Sequence, residues 1–241
     1  MKFWLWIILA LSLGSCTFFT QTKPDRPIIC FTFDDQHHNV YHLAKQALSD
    51  YGWRATCFVN SGAIGASGLL SLQQLQELHQ DWNWEIGGHT LNHEDLAELD
   101  YSEAAYAIEQ DYQNLVNWGF NPRSFALPKG VCPAAYFPLI KSHYDYLRGS
   151  TDLAMHVPLD PDVLGYLPFQ SGWTAQIITD RIKRGIINGE SLIIIGFHRI
   201  EDPNSIYNAN CPIDVFREIL SFVKQQNLEV LPLAEAVQKL K

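Results

Sequence analysis

The sequence predicts an α/β protein, with helices packed around a parallel sheet or a β/α barrel. Three observations predict it. Short apolar runs of strand length alternate with longer segments whose apolar residues recur at helical spacing. Runs such as Leu192, Ile193, Ile194 and Ile195 are apolar without interruption, as strands buried on both faces are. The 241 residues are 47% hydrophobic and 18% charged, which suits one folded core and not a disordered chain.

The elements follow in order. Residues 27–33 form a buried strand. Residues 39–51 form a helix with Val40, Leu43, Ala44, Ala47 and Leu48 on its apolar side, closed by Gly52. Residues 55–59 are a second strand. Ser71 opens a helix, with Gln74 completing a capping box. Residues 84–87 are a short strand that delivers His89, and 102–118 are a long helix stopped by Gly119 and Pro122. Residues 124–127, 146–148 and 192–197 read as strands, and 174–187 and 213–226 as helices. Residues 228–231 read as a last strand, before a helix over 233–240 that starts after Pro232.

The N-terminus reads as a targeting segment. Residues 3–13 are almost wholly apolar, the length of a signal-peptide core and too short to span a bilayer. Leu13, Gly14, Ser15 and Cys16 follow, similar to a bacterial lipoprotein cleavage box. This resemblance implies a signal peptide over 1–15, lipidation of Cys16, a tether over 16–26, and an exported, membrane-anchored lipoprotein. The other reading is an ordinary secretory peptide with Cys16 incidental. Cys30, Cys57, Cys132 and Cys211 remain, and export permits disulfides among them without fixing a pairing. Cys30 and Cys57 lie in apolar runs and read as small buried hydrophobes. The net charge of −9 argues against nucleic acid as a partner.

Two fragments carry chemistry. The first strand ends in Asp34 and Asp35, and His89 and His93 follow a Gly-Gly pair. One carboxylate and two imidazoles suffice for a catalytic divalent metal with one position left for water, and the second carboxylate supplies a base. The i, i+4 histidines can share one side of a helical turn. Unlike the HExxH proteases, Thr90 follows the first histidine, so the base comes from elsewhere. Asp34, Asp35, His89 and His198 all fall just past predicted strand ends, where β/α barrels gather their sites. His37 and His38 read as exposed loop histidines.

Residues 31–35 (Phe-Thr-Phe-Asp-Asp) and 84–93 (Trp-Glu-Ile-Gly-Gly-His-Thr-Leu-Asn-His) resemble the first two motifs of the polysaccharide deacetylases of NodB-homology type, carbohydrate esterase family 4. Residues 124–130 and 195–200 align with later motifs, and the resemblance covers about 27–241. It implies a distorted (β/α) barrel in a single domain. It implies Asp34 as general base, His198 as general acid, and Asp35, His89 and His93 as ligands of a divalent metal, Zn2+. The implied substrate is an N-acetylated polysaccharide containing N-acetylglucosamine, which loses acetate. The wording is closest to the branch acting on poly-N-acetylglucosamine. The backbone N–H of Lys129 would face the oxyanion. Trp173 is the candidate aromatic of the fourth motif and Asp152 its candidate acid, and Arg148 ends a strand near the cleft.

Four positions depart from the family pattern. Ala126 replaces an Arg that contacts the base, Lys129 a Tyr, Gln36 a Gly, and Gly196 a Leu of the acetyl pocket. Two rival readings stand beside the deacetylase: an O-acetyl esterase on a glycan, which keeps the site and changes the bond, and a catalytically silent glycan-binding lipoprotein, which Ala126 and Gly196 motivate.

Overall fold

The computed structural model describes residues 24–201 and 209–241. The predicted signal peptide, Cys16 and the tether up to residue 23 lie outside the described residues. Within them, β1 (Ile28–Phe33), β2 (Thr56–Val59), β3 (Glu85–Gly88), β4 (Ser124–Ala126), β5 (Tyr146–Arg148), β6 (Leu167–Pro168) and β7 (Leu192–Phe197) form one sheet. Its order is β5-β4-β3-β2-β1-β7-β6, and every pairing is parallel. The sheet curls until its edges meet through one segment. Leu164 pairs with Arg148, and three residues later Leu167 and Pro168 pair with Ile195 and Gly196. The result is a distorted (β/α) barrel in a single domain, the form that the resemblance implies.

Strand alternation sorts the side chains into two layers. Ile28, Cys30, Phe58, Ala126, Tyr146, Tyr166, Leu192 and Ile194 fill the barrel interior. The alternate residues Ile29, Phe31, Phe33, Val59, Ile193, Ile195 and Phe197 pack outward. There they meet α2 (Leu72–Gln80), α5 (Ala175–Asn188) and α6 (Ile213–Gln225), which with α1 (Lys45–Ser49), α3 (Tyr101–Asn117) and α4 (Phe137–Lys141) surround the sheet. Phe31, Phe33, Phe197 and Phe216 form a fully buried aromatic group. Burying each ring contributes roughly 1.5–3 kcal/mol. The last helix, α7 (Leu233–Lys239), closes the bottom of the barrel with Leu233, Ala236 and Val237.

The caps behave as the sequence predicts at α2, where Ser71 and Gln74 form the capping box. Helix α3 has a second one, between Asp100 and Glu103. Two expectations change. The helix over 39–51 begins as a π-helical turn, Val40–Ala44, before α1. Residues 228–231 contribute a single parallel bridge, Val230 to Ile29. β7 runs along the whole of one side of β1, and β2 pairs on the other side from Thr32. This leaves one opening near Ile29, and Pro232, with no N–H to offer, ends the contact. The short β6 and α4 were not predicted, because two to five residues carry too little periodicity to read. Cys30, Cys57, Cys132 and Cys211 are all unpaired. No described helix is long and apolar enough to cross a membrane.

Candidate active site

The inward alternation that fills the barrel also builds the site. Ile28, Cys30 and Thr32 point inward, so Asp34 is the next inward residue. By the same count β3 delivers His89, β5 delivers Arg148 and β7 delivers His198. All stand at the C-terminal ends of parallel strands, around a cavity of about 180 Å3 that Asp34, His89, His93, Lys129, Arg148, Tyr166 and His198 help to line.

Adjacent residues on a strand face opposite ways, so Asp35 would leave the cleft if β1 continued. It does not, because Asp35 and Gln36 both adopt the left-handed region (φ 67° and 39°), which bends the chain back. This conformation costs about 1 kcal/mol per residue and needs support. The Gln36 side chain gives that support. Its amide donates to the Asn60 carbonyl and its oxygen accepts from the Asn60 N–H, both at 2.9 Å. The Asn60 amide in turn donates to the His89 carbonyl at 2.5 Å. The loops after β1, β2 and β3 are thereby tied together, and Gln36, a departure from the family pattern, is the knot.

Asp35, His89 and His93 each bring one ligand atom within 4.8 Å of the others. Asp35 Oδ1 lies 3.6 Å from His89 Nε2 and 3.5 Å from His93 Nε2. The two histidines do not share a helical turn, contrary to the simplest reading of their spacing. The segment is a loop in which Thr90 and His93 have φ of 65° and 61°. His89 Nδ1 donates to the Ala126 carbonyl at 2.8 Å, which leaves Nε2 with its lone pair toward Asp35. Burial also lowers the His89 pKa, favouring the neutral ring that a metal needs. Asp35 Oδ1 is buried and has no hydrogen-bond partner. An orphaned carboxylate oxygen between two imidazoles fits a divalent cation.

Asp34 is 3% exposed, and Arg148 donates to its Oδ2 at 2.8 Å. Burial alone would raise this carboxyl, but Arg148 chiefly outweighs burial and brings it below the ordinary value. Asp34 Oδ1 is buried without a partner. Arg148 pairs in register with Ala126 across β4 and β5. The guanidinium missing at Ala126 is therefore supplied from the neighbouring strand. Its plane lies over the Tyr166 ring, 3.8 Å from the centroid.

The other sequence candidates separate cleanly. His198 lines the cavity, with a buried Nδ1 that has no partner. Lys129 lines it from a left-handed backbone (φ 52°), and its ammonium pairs with Asp95 at 3.3 Å. Trp173 does not line it. The chain turns outward after β6, so Phe169 stacks on Phe197 and Trp173 leans edge-on against Phe169 at 6.1 Å. Asp152 is held by Arg181 at 2.7 Å, in an ion cluster with Glu190, and is no partner of His198. His38 is exposed as expected, but His37 is largely buried, with Nε2 3.9 Å from Asp35 Oδ2. Burial lowers its pKa to about 4.

Sequence reasoning missed Asp111 and Tyr166. Asp111 is fully buried on α3 and accepts the N–H of Ser61 at 2.9 Å and of His89 at 3.1 Å. Its signal was legible: it shares the apolar stripe of Ala104, Ala107, Ile108 and Leu115. Tyr166 gave none, since it precedes a two-residue strand.

The family model for polysaccharide deacetylase matches residues 21–143. The chain belongs to the polysaccharide deacetylase family. A Bacillus subtilis (strain 168) protein named "Putative polysaccharide deacetylase YxkH" is 34% identical over 74 residues. That match spans 31% of this chain and only 26% of the relative. Solved structures share the fold. The carbohydrate esterase domain of a multidomain xylanase from the hindgut metagenome of Trinervitermes trinervoides is 16% identical with a TM-score of 0.61, over 89% of this chain and 91% of that one. A Bacillus anthracis pseudoenzyme of the same esterase family is 14% identical with a TM-score of 0.59, over 90% of this chain and 67% of that one.

Proposed function

We propose that this deacetylase is a metal-dependent N-deacetylase that releases acetate from a polysaccharide containing N-acetylglucosamine. One observation carries the reading. The buried, unpartnered Oδ1 of Asp34 shares a cavity with two imidazoles of the Asp35, His89 and His93 cluster and with His198. Asp35, His89 and His93 would hold the cation, with Zn2+ the choice that best suits two imidazoles and one carboxylate. When bound, it supplies Lewis acidity, which acidifies water and polarises a carbonyl.

The chain's own residues do the rest. Arg148 fixes Asp34 through Oδ2 and keeps it ionised, so Oδ1 is the atom that takes the proton from the attacking water. The Lys129 N–H is the donor assigned to the carbonyl oxygen as it gains charge. His198 returns a proton to the sugar nitrogen as the carbon–nitrogen bond breaks. Amide and water thus become acetate and an amino sugar. The silent-binder reading rests on Ala126 and Gly196, and Arg148 beside Asp34 answers the first of these. We also infer that residues 1–15 are a cleaved leader and that lipidated Cys16 anchors the enzyme to a membrane on its exported side. The apolar run and the small residues before Cys16 support this.

The test is acetate release by protein starting at Gln21, stripped of metal and reloaded with zinc, on β-1,6- and β-1,4-linked N-acetylglucosamine oligomers. Zinc-dependent release is expected, and the preferred linkage names the polymer. No release with zinc bound stoichiometrically would reject the reading. Faster release from O-acetylated glycan would replace it with the esterase.

A further inference from the structure

Gly196 is an inward position of β7, one step before the residue that leads to His198. A Cβ placed there would lie 1.7 Å from Cε2 and 2.4 Å from Cδ2 of Tyr166. No side chain fits, so the glycine exists to admit the tyrosine ring. Tyr166 is 5% exposed and lines the catalytic cavity. Its ring is wedged between the Gly196 backbone and the Arg148 guanidinium, which lies 3.8 Å from its centroid. The same guanidinium lies 5.0 Å from the centroid of the Phe58 ring. Swinging the ring away would strip Arg148 of its aromatic cover, so the wall is stiff.

We propose that Tyr166 is the specificity-determining wall of the acyl subsite, limiting the enzyme to acetyl groups; this rests on the deacetylase reading. The argument follows the three substituents of the scissile carbonyl carbon. Its oxygen is assigned to the side of Lys129 and the metal ligands, and its nitrogen to His198. The acyl chain must then face the remaining walls, which are Leu127, Arg148, Ser150, Tyr166 and Pro168. Tyr166 is the largest rigid apolar surface among them. A hydrophobic pocket discriminates one methylene by about 10- to 200-fold. An aromatic held along its Cδ2–Cε2 edge by the Gly196 backbone and on a face by Arg148 has little room to relax toward the permissive end.

The experiment compares N-acetyl, N-propionyl and N-butyryl glucosamine oligomers with zinc-loaded wild type, Tyr166→Phe and Tyr166→Ala. Wild type and Tyr166→Phe should favour acetyl over propionyl by at least tenfold in kcat/KM. Tyr166→Ala should collapse that ratio at least tenfold, whatever its absolute rate. A ratio unchanged in Tyr166→Ala, with zinc bound and the fold intact by circular dichroism, would overturn the proposal. Calorimetric binding of acetate, propionate and butyrate to the same zinc-loaded proteins reads the pocket without turnover. If wild type cleaves nothing, the deacetylase reading fails, and the binding series still decides the wall. Only Tyr166→Ala should gain butyrate. As a check on the fold, Gly196→Ala should destabilise wild type and be tolerated in Tyr166→Ala.

Discussion

The two ends of the barrel carry similar side chains and treat them oppositely. At the bottom, the Glu85 carboxylate accepts from Ser124 Oγ at 2.6 Å, from Thr56 Oγ1 at 2.9 Å and from the Ala234 N–H at 2.9 Å. It caps the start of α7, where a negative charge suits the helix dipole. The cavity beside it, about 300 Å3, is larger than the catalytic one. Yet its arginines are already spoken for: Arg54 pairs with Glu235 at 2.7 Å and Arg123 with Asp145 at 2.8 Å. At the top, Asp34 Oδ1, Asp35 Oδ1, His198 Nδ1 and Arg148 Nε are buried without partners. Unsatisfied buried polar atoms cost free energy, so they persist where a cation or a substrate completes them. Satisfaction, and not cavity size or charge, distinguishes the site from the scaffold.

Four predictions break or sharpen that contrast. Asp34→Asn should lower kcat by about 10^3-fold, the scale of a lost general base, while zinc still binds stoichiometrically. Full activity in this variant would remove Asp34 from its role. His93→Ala should abolish tight zinc binding, measured by a chelator competition assay, with little loss of stability in the metal-free protein. Arg148→Met should cost about 3 kcal/mol in denaturant unfolding, because it leaves the Asp34 charge buried and unpaired.

The same variant has a pH signature. Asp34 is depressed in the folded protein, so the ion pair contributes stability above the ordinary carboxylate range and loses it as pH falls through the lowered value. Without Arg148, burial is opposed by His89 and His198 only, and the acid limb governed by Asp34 should move to higher pH. An unmoved limb would show that the pair is structural only. At the bottom, Glu85→Gln should lower stability by no more than about 1 kcal/mol, since its amide oxygen keeps the Thr56 and Ala234 donors while its nitrogen donates to the Ser124 hydroxyl, and leave kcat of the folded fraction unchanged. Equal losses of activity in Glu85→Gln and Arg148→Met would erase the distinction between the two ends.

The sequence alone determined the alternation of strands and helices, the capping box at Ser71, and the positions of Asp34, Asp35, His89 and His198 just past strand ends. Those features follow from local rules: a period of two along a strand fixes which residue faces the barrel interior, and strand ends place it at the rim. The tertiary structure decided which partners meet across the barrel. Arg148 stands in for the group absent at Ala126 because β4 and β5 are in register, 22 residues apart along the chain. Gln36 supports the left-handed turn at Asp35 through Asn60, in the loop after β2. Trp173 turns outward and Tyr166 takes the space above Gly196, although the chain around each reads alike. Periodicity carries facing but no information about contacts between distant strands. A departure that looks like a loss in the sequence is therefore judged only by what fills its space in the fold.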